Sequence, residues 1–495
     1  MEIDRLVPMR WPCGPLAIER GGRRGDLTPG ERECLEHWSR PEALGLLDGT
    51  PVSGLVVPWA DGSPGDEAQH RALGPLVTAA RERGLAVIGG AGDEADLGSA
   101  AAAAQAAGLD ALATESGDAV TGLPVLRFRE RGFAEVSPGD FLGVTGNPWP
   151  GLKTSAVGAY DAWTGPTGPP WIDSNAWYVR LARELVQPRT TWLWFDPPED
   201  EPPPSAVSYE QAVADAAVYG GRWVVSLDRQ LRAGLSGDRP EARDTWGRIA
   251  RSLSFFEEHC EWTALRPGGP LGVISDYADL NEFISFEVVN LLSRRNILFR
   301  VLEKDQAGEA SLDELATVLY LDETPPHPDL VRKLYTFAEQ GGTLIRPPGW
   351  EEPGSGEDAV SYPGFRVSRH GRGRVVVARE ALVDPFFVVE SVFGLTPHAR
   401  DWLRVFNPGV SQFHYAARDD GRSAVLHVLR HSRRNFETHT SVWFRRRWAS
   451  ARRWGLDTET PAPAEREPRP PGVEFHLAAV SVYCALEVTA ETGDE

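Results

Sequence analysis

The run from Trp171 to Asp228 limits the fold more than any other stretch. It reads WIDSNAWYVRLARELVQPRTTWLWFDPPEDEPPPS and then, from Tyr209, YEQAVADAAVYGGRWVVSLD. Apolar residues at helical spacing predict a helix from Trp177 through Leu185 that Pro188 ends, and the β-branched and aromatic residues 190–195 predict a strand. That strand finishes on Asp196. A second helix over 209–219, a Gly-Gly stop and a second strand over 223–227 follow, and this strand finishes on Asp228. Two successive helix-to-strand units whose strands each end on an acid predict the late part of a (β/α)8 barrel, which gathers its chemistry at the C-terminal strand ends.

Upstream residues supply the other six strands. GPLAIE (14–19) is expected as the first, ending on Glu19, with a helical return over 28–47. VSGLVVPW (52–59) is the second, closing on Trp59 and Asp61, and an amphipathic helix over 66–83 leads to Gly84. The third is 85–88, followed by an Ala-rich helix over 99–107 with Gly108 as its stop. The fourth, 109–114, has Glu115 and Asp118 just beyond it, and the fifth, 123–128, ends near Glu130. The sixth, 141–145, opens into a long Gly, Pro and Trp-rich loop, a length that usually carries function or is disordered. The last helix is placed over 245–265.

From Gly269 the pattern changes. Strands at 271–275, 297–302, 317–321, 343–346 and 375–378 alternate with helices at 280–295, 327–340 and 385–393, which predicts a small, open, Rossmann-like α/β sheet. From about Trp402, short alternating runs broken by turns predict a modest β-sandwich, with residues 456–472 as a Pro- and Glu-rich loop. The fold expected is therefore α/β: a (β/α)8 barrel over 1–266, an α/β domain over 267–398 and a β-sandwich over 399–495.

A net charge of -20 sets the chain against nucleic acid or an anionic membrane as its main partner, and a neutral ligand is easier to hold. The arginine-tryptophan run FRRRWASARRW, read as a strand with Trp443, Arg445 and Arg447 on one face, is expected to pair with the acidic remainder. Four cysteines without a C-x-x-C give no disulfide framework. The histidines lack metal-site spacing and no glycine-rich phosphate loop follows a strand, so neither metal nor cofactor is expected. Without a signal-like or membrane-spanning apolar run, the protein is expected to be cytoplasmic.

The order barrel, small α/β domain, β-sandwich resembles the glycoside hydrolases of the family 42 β-galactosidase type and related bacterial proteins. DYADLNEFISFEVVNLLSRRNILFRVL and LDETPPHPDLVRKLYTFAEQGGTLIR are similar in layout to the middle domain of that family. That domain looks like a class I glutamine amidotransferase without its activity, and it helps to assemble oligomers. No cysteine lies between Leu271 and Arg379, which excludes amidotransferase chemistry here. The resemblance implies a carbohydrate ligand, hydrolysis of O-glycosyl bonds, and a homo-oligomer built through the middle domain. The family's Asn-Glu pair after strand four is Thr114-Glu115 here, and Asp196 stands where a glutamate is expected after strand seven. This departure keeps open an alternative, a non-catalytic carbohydrate-binding or assembly protein on a decayed barrel.

Glycoside hydrolysis generally needs two carboxylates flanking the scissile bond. Strand-end acids are Glu19, Asp61, Glu115, Asp118, Glu130, Asp173, Asp196 and Asp228, and most must be caps, ion-pair partners or loop solvators. Asp196 stands out, because prolines behind it stiffen its loop and Trp192, Trp194 and Phe195 precede it. Desolvation there is expected to raise its pKa, as an acid catalyst needs. Glu115 is its expected partner, on strand position and the family analogy. Glu19, Asp61 and Asp228 are candidate substrate contacts. Asp173 or Ser174 suits an N-cap, with a sugar-hydroxyl contact beside Asn175 as the alternative. Trp59, Trp149, Trp163 and Trp171 are candidate stacking platforms, whereas Trp177 and Trp192 suit the core. Lys153 is a candidate contact near the mouth.

Overall fold

The computed structural model describes the chain except residues 1, 24–26, 116–121, 131–140, 146–148, 154, 158–159, 163–170, 187–188, 198–201, 351–359, 397–401, 432–438, 459, 478–479 and 491–495. Asp118 and Trp163 lie outside the described residues. Two compact units result: residues 1–149 with 186–260, and residues 150–185 with 261–495.

The first unit is an eight-stranded parallel barrel. Its strands are Pro8–Arg10, Gly54–Ala60, Ala86–Ala91, Ala111–Thr114, Val125–Arg129, Gly143–Val144, Trp192–Leu193 and Arg222–Trp223, hydrogen-bonded in that order. The Arg10 N–H donates to the Val225 carbonyl at 2.8 Å, and a parallel bridge joins Met9 to Val225, so the eighth strand closes on the first. Side chains alternate between two apolar layers, as strands require. Val56, Ile88, Ala111, Ala113, Leu126, Phe128, Trp192 and Val224 share the inner cluster, while Leu55, Val57, Trp59, Val87, Leu112 and Val225 pack with the surrounding helices.

The expected first strand is a correction. Residues Gly14–Arg23 form a helix, and the strand lies upstream at Pro8–Arg10. Pro15 sits in that helix's first turn, where a missing N–H costs nothing. Other local signals act as expected. Gly108 ends the helix Leu97–Ala107 with φ of 80°, a left-handed conformation that favours glycine.

The second unit holds the open sheet and the sandwich. In the sheet, Phe299–Glu303, Leu271–Ser275, Thr317–Tyr320, Thr343–Arg346 and Gly373–Ala378 run parallel in that spatial order. Phe365–His370 and Val360–Tyr362 extend it antiparallel. The sandwich packs a six-stranded antiparallel sheet with a four-stranded one around Phe413, Leu426, Phe444, Trp448 and Phe475. Two corrections belong here. Glu465–Arg469 is a strand paired with Gly472–Leu477, not part of a loop. The strand Thr440–Phe444 ends before the arginines, so Arg445 and Arg447 share no strand face with Trp443. The helix Ala176–Val186, expected as a barrel return, has its apolar side in this unit: Trp177 stacks on Phe286, and the Arg180 guanidinium lies 4.4 Å from the Phe299 ring centroid.

Beyond the ends of three parallel strands of the open sheet, Lys304 Nζ sits 2.7 Å from Asp276 and 3.2 Å from Asp322. Burial, with Asp276 adding to it, raises the pKa of Asp322, whose other oxygen accepts the Ser275 hydroxyl at 2.5 Å. Burial would raise Asp276 too, but Lys304 and the Ala278 N–H hold its pKa below the ordinary value. Lys304→Met is expected to cost about 2–3 kcal/mol at neutral pH, because it strands two carboxylates. A group whose pKa is raised by folding favours the fold at low pH, so the deficit should shrink as pH falls through the Asp322 titration. Urea unfolding midpoints at neutral and acidic pH check both statements.

Candidate active site

The alternation that builds the barrel core also selects what reaches its C-terminal mouth. Glu115 continues the inward series Ala111, Ala113, and Asp196 continues Trp192, Trp194. Ser226 follows Val224 in the same way, and Arg10 alternates with the outward-facing Met9. All four side chains line the mouth, in a cavity of two lobes. A lobe of about 370 Å³ includes Glu115, Asp93, Thr114, Phe128 and Trp194. A lobe of about 480 Å³ includes Ser226, Asp228, Arg229 and Arg232. Arg10, Arg20, Pro58 and Asp196 line both.

Asp196 is held from three sides. Its Oδ1 accepts the Ser226 hydroxyl at 2.6 Å and the Trp194 Nε1–H at 3.2 Å. Its Oδ2 forms an ion pair with Arg10, whose guanidinium lies 5.1 Å from the Trp194 ring centroid. The expectation of a desolvated acid at this position is corrected, because the Asp196 side chain is 47 % exposed and ion-paired. Glu115 is exposed as well, but it meets other charges. Partial desolvation raises its pKa, and the carboxylates of Asp93 and Glu130 raise it further against the opposing charge of Arg10. Two carboxyl groups of one cavity thus have different charged neighbours: carboxylates beside Glu115, an arginine beside Asp196.

The other candidates are placed as follows. Trp59 is fully buried: it faces the helices, donates its Nε1–H to the Ala100 carbonyl at 3.0 Å and stacks on His70. No face of it is open to a sugar, and the platform role is corrected to packing. Asp61 lies on the same outward register, largely buried, accepting the Ser63 N–H at 3.1 Å with Arg20 at 3.9 Å. Glu19 is an exposed helix residue because the strand that was to carry it is a helix. Trp149 packs edge-on against Tyr209 and Trp223, part of the shell outside the barrel. None of these four lines the cavity. Asp228 does, but its oxygens are engaged: it caps the helix Arg229–Ser236 through the Leu231 N–H at 2.9 Å and accepts the Tyr209 hydroxyl at 3.0 Å.

Asp173, Asn175, Trp171 and Lys153 belong to the second unit. There the strand Trp171–Asp173 pairs antiparallel with Gly151–Lys153, Asn175 is fully buried, and Ser174 accepts the Ala176 N–H at 3.1 Å. Between Asp173 and Ser174, the serine makes that local turn bond.

Sequence reasoning missed Arg10, Arg20, Asp93, Ser226 and Arg232. Arg10 was hidden by the misplaced first strand; its signal is the apolar run before it in LVPMRW, too short to score as a strand. Among the described residues, no group of three or more His, Cys, Asp or Glu side chains is arranged to hold a metal ion. No described helix is long and apolar enough to cross a membrane.

No family model and no curated protein matches the chain. Solved structures do. An α-L-fucosidase, isoenzyme 2, from Paenibacillus thiaminolyticus matches with a TM-score of 0.58 at 11% identity, over 92% of this chain and 96% of its own. An exo-β-1,4-mannosidase from Opitutaceae bacterium strain TAV5 matches at 0.47 and 14% identity, over 79% of this chain and 94% of its own. A β-galactosidase from Bacillus circulans sp. alkalophilus matches at 0.45 and 11% identity, over 86% and 68%. At such identity the likeness to the fucosidase is one of fold: this chain has a glycoside-hydrolase-like architecture of barrel, mixed α/β sheet and antiparallel β sheets.

Proposed function

We propose that the protein is a glycoside hydrolase that needs no cofactor, with Glu115 as general acid and Asp196 as the carboxylate that attacks the anomeric carbon or activates water. The observation that carries the reading is the cavity itself, which two carboxyl groups line at the C-terminal mouth of the barrel, one beside other carboxylates and one paired with Arg10. Glu115, partly desolvated and beside other carboxylates, keeps its proton to a higher pH than an ordinary glutamate, as proton donation to a leaving oxygen demands. Asp196, fixed by Arg10, Ser226 and Trp194, is preorganised as the ionised partner. The glycosidase-like fold supports a carbohydrate ligand. Release of nitrophenol from a panel of aryl glycosides tests the proposal: turnover is expected, and saccharide binding without turnover would refute it.

The Arg10–Asp196 ion pair favours a second reading, in which a committed Asp196 leaves a barrel that binds carbohydrate without cleaving it. Assembly through the middle domain, where Leu280 and Phe283 are exposed, and a cytoplasmic location complete the proposal.

The pH profile follows from the sign of the Glu115 shift. Activity requires protonated Glu115, so its alkaline limb should lie above the ordinary glutamate range. Asp93→Asn removes one of the charges that raise Glu115 and should move the alkaline limb of kcat/KM to lower pH, with the maximal rate little changed. A pH–rate profile of both proteins checks it.

A further inference from the structure

We infer that the larger lobe of the cavity receives an anionic substituent, a carboxylate or sulfate ester, on the glycan, so that the substrate class is an acidic sugar. The inference rests on the hydrolase reading for its substrate but on different residues for its evidence.

The central residue is Arg232, on the helix Arg229–Ser236 that Asp228 caps. It lines the larger lobe, and its Nε is buried with no hydrogen-bond partner among the described residues. Nor does any described carboxylate lie within ion-pair distance of it. Burial makes its guanidinium easier to deprotonate than an ordinary arginine, the mark of a cation short of compensation. A desolvated, unpaired cation is among the most unfavourable groups a fold can retain.

Asp228 offsets part of that cost through its charge, but each described carboxylate nearby has other work and none pairs with Arg232 directly. Asp228 serves the Leu231 N–H and the Tyr209 hydroxyl. Glu31 accepts the Thr28 N–H at 2.8 Å and pairs with Arg229 at 3.0 Å. Asp196 belongs to Arg10. Much of the remaining wall is apolar, including Leu27, Leu35 and Leu227, which weakens hydration of the guanidinium and strengthens its pull on an entering anion. The planar guanidinium fork matches a carboxylate or sulfate better than a neutral hydroxyl. Asp196 lines both lobes, so a sugar seated beside it lies between the lobe of Glu115 and the lobe of Arg232.

Binding to the full-length protein, measured by calorimetry and by the shift in thermal midpoint, tests the inference. The probes are glucuronate, galacturonate, galactose 6-sulfate and the neutral parents glucose and galactose. At least one acidic probe is expected to bind more tightly than its parent, with the uronate and sulfate arms telling which anion fits. Arg232→Met should weaken that probe by roughly 30-fold or more, and Arg232→Lys by less. Should Arg232→Met not fold, the comparison of acidic with neutral probes on the unaltered protein decides alone. Equal binding of acidic and neutral sugars, or acidic binding untouched by Arg232→Met, would overturn the inference. Acidic binding without turnover of any aryl glycoside leaves it standing and removes the hydrolase reading. Turnover of neutral aryl glycosides without preference for acidic ones does the reverse.

Discussion

Asp196→Asn is expected to lower kcat/KM about a thousandfold or more, whatever the leaving group. The substitution keeps the size of the side chain and leaves its carbonyl oxygen able to accept from Ser226, so the local fold should survive. In the proposed mechanism it removes the carboxylate that either attacks the anomeric carbon or draws a proton from water. The same change removes the Asp196 charge that pairs with Arg10 at the mouth. Because Arg10 opposes the upward shift of the Glu115 pKa, loss of the Asp196 charge beside it should draw Glu115 toward more ready ionisation. The residual activity of the variant is therefore expected to fall off at lower pH than that of the parent. Steady-state kinetics across pH, with circular dichroism as a control on folding, measures both effects.

Glu115→Gln is expected to behave differently, and the contrast defines its role. For glycosides whose leaving alcohol is poor, loss of the proton donor should lower kcat by roughly 10²–10⁴-fold. For a dinitrophenyl glycoside, whose leaving group departs without protonation, the loss should be slight. The alkaline limb of the pH profile should vanish with the side chain that titrates it. A uniform loss across leaving groups would instead make Glu115 a structural or binding residue.

How far these roles were legible in the sequence depends on which physical signal carried them. The late barrel strands were clear because Thr190 to Phe195 and Trp223 to Leu227 are β-branched or aromatic runs, with Pro188 and Gly220-Gly221 as stops. Counting in twos along such strands also places Glu115 and Asp196 at the mouth, since Ala113 and Trp194 share their register. The open α/β sheet was equally legible, its five parallel strands falling on the expected runs. The first strand was not, because three residues carry no period and the helix Gly14–Arg23 begins with an apolar run that reads either way. That error hid Arg10, and with it the ion pair that decides the state of Asp196.

Environment was the other blind spot. Three aromatic residues before Asp196 pointed to desolvation, yet Trp192 turns into the barrel core and Trp194 donates a hydrogen bond, so the carboxylate stays half-exposed. Trp59 failed for a related reason, since its register faces the helices rather than the mouth. Composition names the residues available for a site, and strand register decides which of them face it.

The pairing of Glu115 and Asp196 across one cavity is tested most directly by azide rescue of Asp196→Ala on an aryl glycoside. Azide can enter the space beside Arg10 and form a C–N bond at the anomeric carbon as the aryloxide leaves. The expected result is azide-dependent release of the phenol from Asp196→Ala, with a glycosyl azide detected by mass spectrometry and no such rescue in Asp228→Ala. Aryl release from Asp196→Ala that is indifferent to azide and as fast as that of the parent protein would contradict the account.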